Sequence, residues 1–207
     1  MLSALREFIK KTPLFSVLRP ISNLFIPAPP SDPFRWETVR QYGKKFQHPC
    51  LIETGTYLGG TVQAVKDDFE RIYSIELGEK LAKDAQERFK AYPHITIIQG
   101  DSGKVLPGLL PTIQQPVVFW LDAHFSEGVT AKGEKIAPIM EELASIFKHT
   151  AKDFVVLIDD AREFGWYQIV VRGRKDFPTI RTLREFITKL NPAYKVKVAD
   201  GIIRISK

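Results

Sequence analysis

Two sets of residues have the types and spacing to do chemistry. The first lies in Leu51-Ile52-Glu53-Thr54-Gly55-Thr56-Tyr57-Leu58-Gly59-Gly60-Thr61, which reads as a buried strand ending in an acid, a glycine turn and a helix start. Glycine lets the backbone come close to a ligand, and nucleotide-like ligands bind in the crevice beyond the strand ends of an open α/β sheet. The next strand, Arg71-Ile72-Tyr73-Ser74-Ile75, ends in Glu76. An acid about 20 residues past such glycines can accept hydrogen bonds from both ribose hydroxyls. A third strand closes in Gln99-Gly100-Asp101-Ser102, where Asp101 and Ser102 suit an adenine amino group.

Any one strand-end acid is an ordinary cap or solvated group; three on successive strands along one edge are worth more together. The glycine pattern lacks the tight Gly-x-Gly of a pyrophosphate site. A ligand with ribose and adenine but no pyrophosphate fits better, and S-adenosylmethionine is such a ligand. Nicotinamide-dependent chemistry is disfavoured on the same ground.

The second set is Asp122 and His124, after Val117-Val118-Phe119-Trp120-Leu121, with Asp159 and Asp160, after Phe154-Val155-Val156-Leu157-Ile158. If these strands are neighbours, Asp122, Asp159 and Asp160 converge. Carboxylates that close repel one another unless a cation neutralises them. Hard oxygen ligands favour Mg²⁺ or Ca²⁺ over zinc. Such an ion would bind a substrate hydroxyl and lower its pKa, which gives the expectation of a metal site at Asp122, Asp159 and Asp160.

Short, continuously apolar strands are buried on both faces, and their alternation with helical segments implies right-handed βαβ units around a parallel sheet. Helices are expected at 34–46, 59–68, 79–91, 136–149 and 179–190, and a short helix or turn at 106–113. At the end of the chain, Ala199-Asp200-Gly201 separates two alternating runs, which signals an antiparallel hairpin. The prolines at 27, 29, 30 and 33 make a stiff linker, so residues 1–33 read as an N-terminal arm and 34–207 as the domain. In the arm, Leu2, Leu5, Phe8 and Ile9 share a helical face opposite Arg6, Lys10 and Lys11. That face is expected to pack on the domain or on a second subunit, as in a homodimer. Weak contact with a membrane surface, or capping of a substrate, is the alternative.

The chain has 207 residues, 44% hydrophobic and 26% charged, enough for one core with an appendage. Its net charge of +6 is dispersed, which suits a small anionic ligand and gives no specific sign of nucleic acid. No apolar run spans a bilayer, and basic residues interrupt the start as a signal peptide. The single cysteine, Cys50, excludes an intramolecular disulfide and fits a reducing, cytoplasmic setting. It is expected to be a small buried hydrophobe rather than a nucleophile.

Glu-Thr-Gly-Thr-Tyr-Leu-Gly-Gly, Tyr-Ser-Ile-Glu and Gln-Gly-Asp-Ser together resemble a class I S-adenosylmethionine-dependent methyltransferase, from about Pro49 to the C-terminus. The resemblance implies a Rossmann-like α/β fold: a mostly parallel seven-stranded sheet in order 3-2-1-4-5-7-6, a C-terminal antiparallel hairpin, and helices on both faces. It places Glu53, Gly55, Thr56, Tyr57 and Gly59 at the methionine end, Glu76 at the ribose, Asp101 and Ser102 at the adenine, and Asp122 beside the cofactor. Trp-Leu-Asp-Ala-His-Phe-Ser-Glu-Gly, with Asp159-Asp160, is similar to the metal-dependent macrocin O-methyltransferase (TylF-like) sugar methyltransferases. That family often has an acid two residues after its first metal ligand, read as the general base; this chain has His124 there, beside Asp122, and the resemblance implies that neutral His124 does that job near neutral pH. The implied activity is Mg²⁺-dependent O-methylation of a sugar or natural-product-like hydroxyl. The basic loop with Arg162, Trp166, Tyr167, Arg172, Arg174 and Lys175 would shape the acceptor pocket, and 125–135 would be a lid. The alternative from a different class is a non-catalytic binding or assembly protein on this fold, working through its arm.

Overall fold

The computed structural model describes residues 31–122, 138–150, 152–165 and 177–207. Residues 1–30 of the arm, the 125–135 segment, His124, and Trp166, Tyr167, Arg172, Arg174 and Lys175 of the later loop lie outside them.

The continuously apolar runs become the central strands, since only a strand covered on both sides buries every side chain it carries. The elements are α1 (Asp32–Phe46), β1 (Cys50–Thr54), α2 (Gly60–Val65), β2 (Arg71–Glu76), α3 (Glu79–Phe89), β3 (Ile95–Gln99), α4 (Ser102–Leu109), β4 (Val117–Leu121), α5 (Ile139–His149), β5 (Phe154–Ile158), α6 (Ile180–Leu190), β6 (Lys195–Ala199) and β7 (Ile202–Ser206). They form one seven-stranded sheet in the expected order, β3-β2-β1-β4-β5-β7-β6. The first five strands run parallel, and β7 pairs antiparallel with both β5 and β6. Asp200 and Gly201 turn the hairpin with φ of 50° and 76°, the left-handed pair a tight two-residue turn needs.

Period-two alternation divides the strands between two cores. Cys50, Ile52, Phe119 and Leu121 pack with Leu106, Leu143, Leu183 and Ile187 from α4, α5 and α6. Leu51, Val118 and Trp120 pack with Val39, Val62, Ala85 and Phe89 from α1, α2 and α3. Burial pushes the Cys50 thiol up to about 12, so it is a core hydrophobe and not a nucleophile near neutral pH.

Several element ends differ from the sequence reading. Helix α1 starts at Asp32, with Pro33 in its first turn, because proline's missing N–H costs nothing there. Strand β1 continues to Thr54, since Glu53 pairs in register with both Ser74 and Trp120. Helix α4 begins at Ser102 rather than at 106, because the Asp101 carboxylate caps it by accepting the Gly103 N–H at 3.0 Å. Among the described residues, no helix is long and apolar enough to cross a membrane.

Candidate functional site at the carboxyl edge of the sheet

The register aligns the strand ends. Thr54 of β1 lies beside Leu121 of β4, and Leu121 beside Ile158 of β5. The Asp122 N–H then donates to the Thr54 carbonyl at 3.0 Å, and the Asp159 N–H to the Leu121 carbonyl at 3.1 Å. The acids that follow β4 and β5 are therefore fixed at neighbouring places on one edge.

The turn after β1 is shaped by backbone needs. Gly55 has φ of 89° and Gly59 has φ of 72°, both in the left-handed region. Tyr57 is also left-handed, at 48°, where a side chain is strained. Glu76 compensates: its carboxylate accepts the Tyr57 N–H at 2.8 Å and the Gly78 N–H at 2.8 Å. The acid assigned to the ribose thus also holds the turn assigned to the methionine end. Tyr57 is half exposed at this rim.

Glu53 lies beneath that turn, fully buried. Ser74, its register partner, donates to its Oε2 at 2.5 Å, and Thr56 Oγ1 lies 2.6 Å from Ser74 Oγ. Burial pushes the Glu53 carboxyl up to about 8, against the opposing help of Ser74 and Thr61. Near neutral pH it is therefore mostly protonated. Ser74 carries a signal in the sequence, a lone hydroxyl inside an apolar strand, but its role depends on the register.

Asp101 and Ser102 occupy the expected edge, at the start of α4. The Ser102 hydroxyl turns inward and donates to Glu142 Oε1 at 2.6 Å, so it is not presented to an adenine. Glu142, on α5, is buried, and burial pushes its carboxyl up to about 7 against the help of Ser102. The folded chain therefore holds this proton more tightly than the unfolded chain does. Stability from this group is greatest below the ordinary glutamate value of 4.5 and falls as pH rises toward about 7. Glu142→Gln keeps an acceptor for Ser102 and removes the charge. It is expected to leave Tm unchanged near pH 4.5 and to raise it by several degrees at pH 8, flattening the Tm–pH profile of the ligand-free protein.

Asp122, Asp159 and Asp160 do converge, but around an arginine. Arg35, from α1, places Nε 2.8 Å from Asp159 Oδ2 and Nη2 3.6 Å from Asp160 Oδ1. Asp122 acts electrostatically on the same guanidinium. Arg162 Nε lies 3.3 Å from Asp160 Oδ1. The other oxygen of Asp159, Oδ1, accepts the Asp160 N–H at 2.7 Å. Asp159 is almost fully buried, and burial raises its pKa, with Asp122 and Asp160 adding to the shift and Arg35 opposing it. As arranged, these carboxylates face guanidinium groups rather than an open cation site: Asp159 has one oxygen on the Asp160 N–H and the other 2.8 Å from Arg35, while Asp160 Oδ1 lies near two guanidinium groups as an ion pair without a hydrogen bond to either. No group of three His, Cys, Asp or Glu residues among the described residues is placed to hold a metal. The spacing suggested a divalent ion among these carboxylates; beside Asp159 and Asp160 lies instead Arg35, far away in sequence.

No protein-family model matches the chain, and no curated protein matches it. Solved structures do. An O-methyltransferase from Bacillus cereus in complex with S-adenosylhomocysteine superposes with a TM-score of 0.61 at 15% identity, over 100% of both chains. A putative caffeoyl-CoA O-methyltransferase from Staphylococcus aureus gives 0.60 at 16%, over 100% of this chain and 99% of that one. The S-adenosylhomocysteine-bound Podospora anserina methyltransferase PaMTH1 gives 0.60 at 16%, over 83% of this chain and 77% of that one. At this identity the likeness establishes the fold: the chain adopts the Rossmann-like class I methyltransferase fold, with its strand order and C-terminal hairpin.

Proposed function

We propose that the chain is an S-adenosylmethionine-dependent O-methyltransferase acting on a hydroxyl of a sugar or natural-product-like small molecule. The observation that carries this reading is Glu76. It ends β2 beside the left-handed turn, with Glu53 behind that turn and Asp101 on the neighbouring strand's edge. This is the layout an adenosine ligand without a pyrophosphate needs. The cofactors named for the solved relatives are of that kind. The sugar-type acceptor rests on the sequence resemblance to the TylF-like enzymes.

In this reading Glu53 and the turn orient the methionine end, Glu76 the ribose, and Asp101 the adenine. Transfer is in-line. The acceptor oxygen bonds to the methyl carbon as the carbon–sulfur bond breaks, S-adenosylhomocysteine leaves, and the hydroxyl proton passes to His124. Positioning supplies most of the acceleration. His124→Ala is expected to lower kcat by about 100-fold or more, with S-adenosylhomocysteine affinity unchanged. Calorimetry with S-adenosylhomocysteine tests the proposal directly; absence of binding into the millimolar range would refute it.

No step is drawn through magnesium, given how Asp159 and Asp160 are engaged. Turnover is expected to survive chelation with at most a small change. Loss of activity in chelator, restored by added Mg²⁺, would return the acid trio to the metal-binding role expected from the sequence.

A further inference from the structure

We propose that Arg35, assisted by Arg162, is the built-in cation of the Asp122–Asp159–Asp160 cluster, occupying the place a divalent ion would take and tying α1 to the cofactor edge of the sheet. The argument is one of charge and distance. Asp159 is almost fully buried and Asp160 nearly so. Buried carboxylates persist only when paired, because the loss of hydration is large. The partner here is a guanidinium that meets Asp159 at 2.8 Å and Asp160 at 3.6 Å, and it is also held by Asp32 of its own helix at 2.9 Å. A second guanidinium lies 3.3 Å from Asp160 and 3.8 Å from Glu163, contributing charge rather than a hydrogen bond to Asp160 Oδ1.

Arginine is suited to the task. It stays charged at any working pH, is less strongly hydrated than an ammonium group, and presents several donors in one plane. Helix α1 carries Arg35 to the edge because Val39, one turn further on, is buried in the core containing Val118, Trp120 and Val155. Helix α1 also packs against α2, β4 and β5. The segment before β1 is thereby part of the site: it neutralises acids that β4 and β5 bring together. The inference rests on the methyl-transfer reading only for what lies beside the cluster, so its test uses metal binding and stability rather than turnover.

The full chain is titrated with Mn²⁺ and free ion is followed by electron paramagnetic resonance. The free-ion signal is expected to track added Mn²⁺ with no stoichiometric binding. Stoichiometric binding that Asp159→Asn abolishes would overturn the proposal. In the second arm, Arg35→Met is expected to lower Tm by about 5–10 °C, since it strands buried carboxylates. Adding Asp159→Asn to Arg35→Met removes the stranded charge and is expected to recover most of that fall. A double variant no more stable than Arg35→Met would overturn the proposal, because loss of packing alone is not rescued by removing a charge. Should Arg35→Met fail to fold, the double variant is expected to fold; failure of both would also overturn it. Calorimetry with S-adenosylhomocysteine on the unaltered chain reports separately on the methyltransferase reading.

Discussion

Glu76→Ala is expected to weaken S-adenosylhomocysteine binding by about 100-fold or more. Each hydrogen bond from a ribose hydroxyl to a charged acceptor contributes roughly 1.5–3 kcal/mol, and two are lost together, which converts to at least about two orders of magnitude in Kd. A second loss adds to the first. The Tyr57 and Gly78 N–H groups, each 2.8 Å from this carboxylate, lose their acceptor, and the turn proposed to meet the methionine end loosens. Glu76→Gln keeps one acceptor oxygen and is expected to fall between, with a loss of about 10-fold. Calorimetry measures both. An alanine variant that binds as tightly as the unaltered chain would remove the cofactor from this edge.

Gly59→Ala is expected to be the most damaging single methyl group in the site. Gly59 has φ of 72°, and a Cβ built there would stand 2.8 Å from Cε2 and 3.2 Å from Cζ of Phe89. The Phe89 ring is buried in the core shared with Val62, Val65 and Ile72, so it has little room to yield. The left-handed backbone costs an alanine roughly 1–2 kcal/mol and the overpacking roughly 1–3 kcal/mol. For a chain of this size the fall in Tm is about 5–15 °C. Gly108 provides the control: a Cβ there meets nothing within 4 Å, so Gly108→Ala in α4 is expected to leave Tm unchanged or slightly higher. Thermal unfolding of the two variants tests the contrast. Equal effects would mean that neither the positive φ nor the Phe89 contact matters.

Much of this was legible in the sequence, for identifiable reasons. The central parallel strands β1, β4 and β5 follow from runs buried at every position, whereas β2 and β3 keep exposed or half-exposed positions. The hairpin follows from Asp200-Gly201, whose turn demands two left-handed residues. Glu76 and Asp101 could be placed at strand ends because the strands' apolar residues stop just before them. Where element ends depart from the periodic pattern, a local interaction outweighs it. Asp101 caps α4 earlier than the apolar spacing suggested. Ladder pairing on both sides extends β1 through Glu53, an acid that otherwise reads as the strand's end.

The side-chain partners were not legible. Ser74 is the partner of Glu53 because β1 and β2 pair in one register; a slip of one residue would turn it to the other face. Ser102 suited an adenine amino group in the sequence, and only α5 shows that its hydroxyl donates to Glu142.

The sequence by itself determined the order of elements, the two-faced core and the row of acids along one edge, because local periodicity and strand-end chemistry are written in consecutive residues. Only the tertiary structure decided what neutralises those acids. Arg35 sits on a helix that precedes the first strand, and Asp159 follows the fifth. No spacing rule connects them, since packing of α1 against β4 and β5 sets their distance of 2.8 Å.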